Sequence, residues 1–205
     1  MNYRGIWLPD GEIHLVEFMD RTNVIVDGKP SYQYHKLKAA LSHVDNFEAA
    51  IDVGAHVGLW SMHLAKKFRT VYAFEPEHGD CFQMNCPGVA LYRYALGAES
   101  KRVSMLATEG SSGNTIVQEG DTVEMRTLDS FGLDCDFLKI DCDGYDLDVL
   151  WGAREMLSRC HPIIIVEQKA GCGQRYGHEE TEAVNFLAEF GYEVQREMDG
   201  DYILK

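Results

Sequence analysis

Three observations predict the fold class: strand-like and helix-like segments alternate from residue 50 onward, a glycine-bearing turn follows the first of those strands, and acids stand at the ends of four of five strands. The expectation is an α/β fold with a mostly parallel, doubly wound sheet. An antiparallel hairpin should close it at the C-terminus, and a small β/α preface should precede it. The ligand of such a sheet sits outside the carboxyl ends of the strands.

The preface covers residues 1–48. Residues 13–18 and 24–26 are strand-like, and Asp10-Gly11 and Asp27-Gly28 are turn pairs. Tyr34, Leu37, Leu41 and Val44 then share one face at helical spacing, predicting a helix that flanks the first core strand. The core covers residues 49–205. Its first strand, 50–53, leads into a helix with Val57, Ser61, Leu64, Ala65 and Phe68 on one face. A second strand is expected at 70–74, a short helix around 82–85 and a third strand at about 89–94.

Residues 101–125 interrupt this alternation. They hold two or three β-like pieces around a polar turn at 109–114, and read as an insertion fit to close over a substrate. The fourth strand, 137–141, precedes a helix that lines up Leu147, Leu150, Trp151 and Leu157. The fifth, 162–166, ends at Glu167. Gly171, Cys172 and Gly173 follow in a second loop near the expected mouth. A helix then turns Ala183, Phe186, Leu187 and Phe190 inward and stops at Gly191, a natural C-terminal cap. Segments 192–196 and 202–204 flank Asp199-Gly200 as the closing hairpin. With no repeat or linker, residues 1–205 are expected to form one domain.

The net charge of −14 argues against nucleic acid and against an anionic membrane surface, since either rewards a basic face. Residues 1–9 carry no long apolar core of the signal-peptide kind, and no apolar run approaches the ~20 residues of a membrane span. The six cysteines show no paired spacing for zinc, so reduced thiols in a cytoplasmic protein are expected. Asp141 and Glu167 together could hold a divalent ion weakly, but nothing in their spacing demands one, and no metal is expected.

The glycine pattern sets the ligand class. A dinucleotide site wants G-x-G-x-x-G, and reading from Gly54 the second and third glycines are replaced by His56 and Leu59. What stands is D-x-G-x-x-x-G from Asp52 to Gly58. An acid ahead of the turn repels a pyrophosphate and suits a sulfonium or ammonium. About 20 residues on, Glu75 ends the second strand where nucleoside-binding folds place an acid for ribose hydroxyls, and Pro76 fixes the backbone after it. S-adenosylmethionine carries a ribose, a sulfonium and an ammonium, and no phosphate.

The chain resembles the FkbM family of S-adenosylmethionine-dependent methyltransferases, which have the Rossmann-like class I methyltransferase fold. The matching stretches are IDVGAHVG at 51–58, AFEP at 73–76, Asn85, YALG at 94–97, TLD at 127–129, KIDCDG at 139–144 and Glu167, in the family's order. The resemblance implies methyl transfer, usually to a hydroxyl of a small molecule or glycan. It places Asp52 and the turn Gly54, Ala55, His56 and Gly58 around the methionine part of the cofactor. Glu75 and Pro76 fall at the ribose, Ala95 and Leu96 beside the adenine, and Asp141 near the amine or the reacting centre. Asp143 and Asp146 stand where the family more often has Glu, and His56 where Asn is also common.

A hydroxyl acceptor gains ~10²- to 10⁴-fold from a positioned base. Asp141, Glu167 and His56 are the candidates, with Lys139 on the same side of its strand able to pair with Asp141. The expected function is therefore O-methylation of a sugar, glycan or other small molecule. An NAD-dependent oxidoreductase and a non-catalytic cofactor-binding module of the same fold are the alternatives.

Overall fold

The computed structural model describes residues 1–108 and 111–205. Seven strands form the main sheet: β1 (Ala49–Val53), β2 (Thr70–Phe74), β3 (Ala90–Tyr92), β4 (Phe137–Ile140), β5 (Ile163–Glu167), β6 (Val194–Met198) and β7 (Asp201–Leu204). Their order is β6-β7-β5-β4-β1-β2-β3. The first five are parallel, β7 runs antiparallel to β5, and β6 pairs antiparallel with β7 about Asp199-Gly200. The doubly wound, mostly parallel sheet with an antiparallel closing hairpin is thus the observed fold. Its central strands are buried on both faces, with β4 and β5 buried at every position, which is why they read as unbroken apolar runs.

Among the described residues seven α-helices accompany the strands: α1 (His14–Thr22), α2 (Tyr34–Leu41), α3 (Ser61–Leu64), α4 (Gly79–Asn85), α5 (Asp146–Trp151), α6 (Arg154–Cys160) and α7 (Glu182–Ala188). One core packs α5, α6 and α7 on one face of the sheet, with Leu147, Leu150, Leu157 and Leu187 in it. A second packs α2 and α3 on the other face, through Leu37, Leu64 and Phe68. Two inward expectations are corrected: Trp151 is exposed, edge-on to His178, and Ala65 is exposed while His63 takes the buried place and meets Ser31 Oγ at 2.9 Å. The expected single helix after β4 is broken at Gly152, where a Cβ would lie 2.1 Å from the carbonyl oxygen of Gly97.

The preface also departs from expectation. Residues 13–18 are helix, not strand. Leu15 and Met19, one helical turn apart, are the buried pair, and the chain leaves α1 through Asn23 in the left-handed conformation. A short hairpin, Asn2–Tyr3 with Ile6–Trp7, precedes it. Ile6, Leu8, Leu15 and Met19 pack directly on Val57 and Leu59 of the glycine turn. Asn85 ties this together: its side chain accepts from the Trp7 N–H at 2.8 Å and donates to the carbonyls of Trp7 and Val57 at 2.8 Å.

Residues 95–126 build a second, four-stranded sheet ordered Ser111–Glu119, Lys101–Thr108, Val123–Arg126, Ala95–Leu96. Part of the expected polar turn is strand from Ser111 onward; Glu109 and Gly110 lie outside the described residues. This sheet brings Ser112 to Thr115 over the carboxyl ends of β1 and β4.

Candidate active site

Two chambers open at those strand ends. The first, about 620 Å³, is walled by Phe74, Pro76, Ala95, Leu96, Met105 and Val117, with Glu75, Asp141 and Asp143 among its polar lining. The second, about 600 Å³, is lined by Tyr32, Ala55, Trp60, Lys139, Glu167 and Lys169, among others. Gly54, His56, Gly113, Asp141 and Asp143 line both.

Gly54 is where β1 must turn without a side chain. Its φ is +68°, and a Cβ there would lie 2.0 Å from the carbonyl oxygen of Asp141, so backbone meets backbone at the seam between β1 and β4. Lys139 braces that seam. Its Nζ donates to the carbonyls of Gly54 at 2.8 Å and Val53 at 3.2 Å, and lies 3.2 Å from Asp52 Oδ1 and 3.8 Å from Asp141 Oδ2. Burial disfavours its charge, yet the Asp52 and Asp141 carboxylates outweigh that and push its pKa up.

Glu75 clamps the rim of the first chamber. One carboxylate oxygen accepts from the N–H groups of Glu77 at 2.7 Å and His78 at 2.9 Å, the other from that of His56 at 3.0 Å. The latter oxygen keeps a lone pair for a ligand hydroxyl. Burial raises the Glu75 pKa, against these N–H contacts. Above it the Ser111–Glu119 strand is held by a polar clasp. Ser112 donates from N at 2.7 Å, and from Oγ, to Glu12 Oε2; its Oγ also meets His56 Nε2 at 2.8 Å, and its carbonyl accepts from His78 Nε2 at 3.0 Å. Thr115 N donates to Asp143 Oδ2 at 2.9 Å.

The lining of the first chamber decides what it can hold. Among the described residues it contains carboxylates and apolar groups but neither lysine nor arginine. A pyrophosphate would meet only like charge there, whereas a purine fits the apolar wall and a cationic sulfonium fits the acids. The family model for the Methyltransferase FkbM domain matches residues 52–194. This chain belongs to the FkbM methyltransferase family.

Solved structures agree on the fold. A methyltransferase FkbM from Methylobacillus flagellatus KT is 19% identical with a TM-score of 0.50; the match covers 77% of this chain but only 43% of that one. The precorrin-6y C5,15-methyltransferase of Geobacter metallireducens GS-15 gives 0.51 at 17% identity, covering 98% of each chain. The N-methyltransferase NodS of Bradyrhizobium japonicum WM9 gives 0.51 at 12% identity, over 83% of this chain and 90% of that one. No curated protein matches in sequence. The cofactor of this FkbM methyltransferase is S-adenosylmethionine.

The residues expected to form the site are sorted by the structure. Gly54, His56, Glu75, Pro76, Ala95, Leu96 and Asp141 line the first chamber, and Ala55 lines the second. Asp52 lines neither: it is fully buried, accepts from Ser61 Oγ at 2.6 Å and pairs with Lys139 beneath the turn. Gly58 lines neither too; a Cβ there would lie 2.6 Å from Cys86 Sγ, so its role is close packing against α4. The residues 171–173 also stay off both chambers.

Among the candidate bases, burial and the neighbouring His78 push the His56 pKa down to about 3, so it remains neutral. Burial and the Asp141 charge push Glu167 up to about 9, so it holds a proton at neutral pH. Asp141 is part-exposed, at 30%, where the chambers meet. Glu12, Trp60 and His78 escaped sequence reasoning, whereas Ser112 lies in the polar turn expected to close over a substrate. Among the described residues no cluster of three or more His, Cys, Asp or Glu could hold a metal ion, and no helix is long and apolar enough to cross a membrane.

Proposed function

We propose that this FkbM methyltransferase transfers a methyl group to a hydroxyl oxygen of a sugar, glycan or other small molecule, as one cytoplasmic domain spanning residues 1–205. The observation that carries the reading is the meeting of the two chambers at Gly54 and Asp141. The first chamber takes the adenosine: Glu75 and Pro76 face the ribose, and Ala95 and Leu96 the adenine. The second takes the acceptor.

When bound, S-adenosylmethionine supplies a methyl group on a sulfonium. The residues of the chain do the rest. The Lys139 brace fixes the Gly54 turn, which sets where an acceptor oxygen can approach. Asp141 takes the hydroxyl proton on its carboxylate, while neutral His56 and proton-holding Glu167 orient rather than abstract. The Ser112 clasp closes over the strand ends and excludes water. The net charge of −14 disfavours a nucleic-acid acceptor.

Formation of S-adenosylhomocysteine with a panel of neutral hydroxyl compounds tests this. Wild-type protein should methylate at least one of them on oxygen, and Asp141→Asn should lower kcat by about 10²-fold or more with cofactor affinity retained. Methylation confined to nitrogen or carbon, or an unchanged kcat in the variant, would overturn it.

A further inference from the structure

The second chamber holds two buried polar atoms without hydrogen-bond partners among the described residues: Nε1 of Trp60 and Oε2 of Glu167. Both side chains are nearly closed to solvent, 5% and 3% exposed as residues. An unmade hydrogen bond at a buried group is costly, and here two residues that each carry one line the same chamber. Trp60 is held by the apolar core below it, with Leu37, Leu64 and Ile165. Glu167 is fixed at the end of β5 with its other oxygen on Lys169. Neither depends on the other, and both residues line the same chamber.

The charges around them narrow that partner. Both lysines of the chamber are already engaged, Lys139 with Asp52 and the carbonyls of Val53 and Gly54, and Lys169 with Glu167. Asp141 and Asp143 remain as acids in the lining. A phosphate or carboxylate would bring its charge against the two aspartates. An ammonium could only donate, and would leave Trp60 orphaned. Hydroxyls both donate and accept. They answer both atoms and bring no charge.

We infer that Trp60 and Glu167 are the specificity-determining pair of the acceptor chamber, gripping two hydroxyl groups of an uncharged acceptor, one accepting from the indole N–H and one paired with the free oxygen of the Glu167 carboxyl. This rests on the second chamber being the acceptor side. Asp141 moves the proton; the pair selects the molecule and sets its register.

The test is ligand-observed saturation-transfer NMR on protein saturated with S-adenosylhomocysteine, probed with methyl hexopyranosides, the matching hexose 6-phosphates and hexuronic acids. At least one neutral hexoside should bind, with the phosphates and uronic acids weaker by tenfold or more. Trp60→Phe, which keeps the ring and removes only the N–H, and Glu167→Gln should each weaken the hexoside by about tenfold. Calorimetry should show S-adenosylhomocysteine affinity unchanged in both. Equal loss of S-adenosylhomocysteine affinity would assign the pair to the cofactor and overturn the inference. So would phosphates binding as tightly as the neutral parents, or no neutral hexoside binding at all. A hexoside that binds as described but receives no methyl group supports the pair's role and counts against hydroxyl transfer.

Discussion

Lys139 and Asp52 stand opposite each other on the paired strands β4 and β1, with Nζ 3.2 Å from Oδ1 and both residues buried. The sequence suggested Asp141 as the partner of Lys139 and the cofactor as the partner of Asp52. The register of the parallel pair keeps Asp141 within 3.8 Å of Lys139 and adds Asp52 as the nearer partner, while the carbonyls of the turn take the remaining lysine protons.

Removing one partner of such a pair leaves an uncompensated buried charge. Lys139→Met should therefore cost about 3–5 kcal/mol of stability, read from urea unfolding, and pairing it with Asp52→Asn should recover a large part. A loss below about 1 kcal/mol would mean the pair is not holding the seam.

Gly54→Ala places a methyl group against the Asp141 carbonyl at a backbone angle disfavoured for alanine. It should destabilise the protein by more than about 1 kcal/mol and abolish the rise in Tm that S-adenosylhomocysteine gives wild type. A normal thermal shift in the variant would count against the turn's close approach.

Glu75→Gln replaces one carboxylate oxygen by an amide nitrogen that cannot accept from a backbone N–H. Calorimetry should show S-adenosylhomocysteine binding weaker by about 1.5–3 kcal/mol, roughly 10- to 100-fold. Unaltered affinity would remove Glu75 from the ribose.

Stability should also fall with rising pH through a buried acid. Burial first, and the Asp141 charge second, push the Asp146 pKa up to about 7, against about 3.9 in the unfolded chain. With the folded value raised, this group's contribution is fully present below pH 4 and is lost as pH rises through 7. Between pH 5 and 8 the Tm of wild type should drop more steeply than that of Asp146→Asn. Parallel slopes would show that Asp146 does not titrate there.

Strand ends and the glycine turn were legible because their signals are local: an apolar run closed by an acid, then glycine where no side chain fits. Residues 13–18 misled because Ile13 and Leu15 alternate like a strand while the buried pair, Leu15 and Met19, keeps helical spacing. The Glu12 to Ser112 contact spans 100 positions and joins two ordinary polar residues, so no periodicity announces it. Trp60 gave no signal, because an unpartnered indole nitrogen is a property of packing and not of spacing.

Five residues line both chambers, and two of them, Gly54 and Gly113, present no side chain to the space between. The two chambers thus adjoin partly across backbone. On the proposed assignment, a bisubstrate inhibitor with an adenosine joined by a short neutral tether to a polyol should bind more tightly than either half alone.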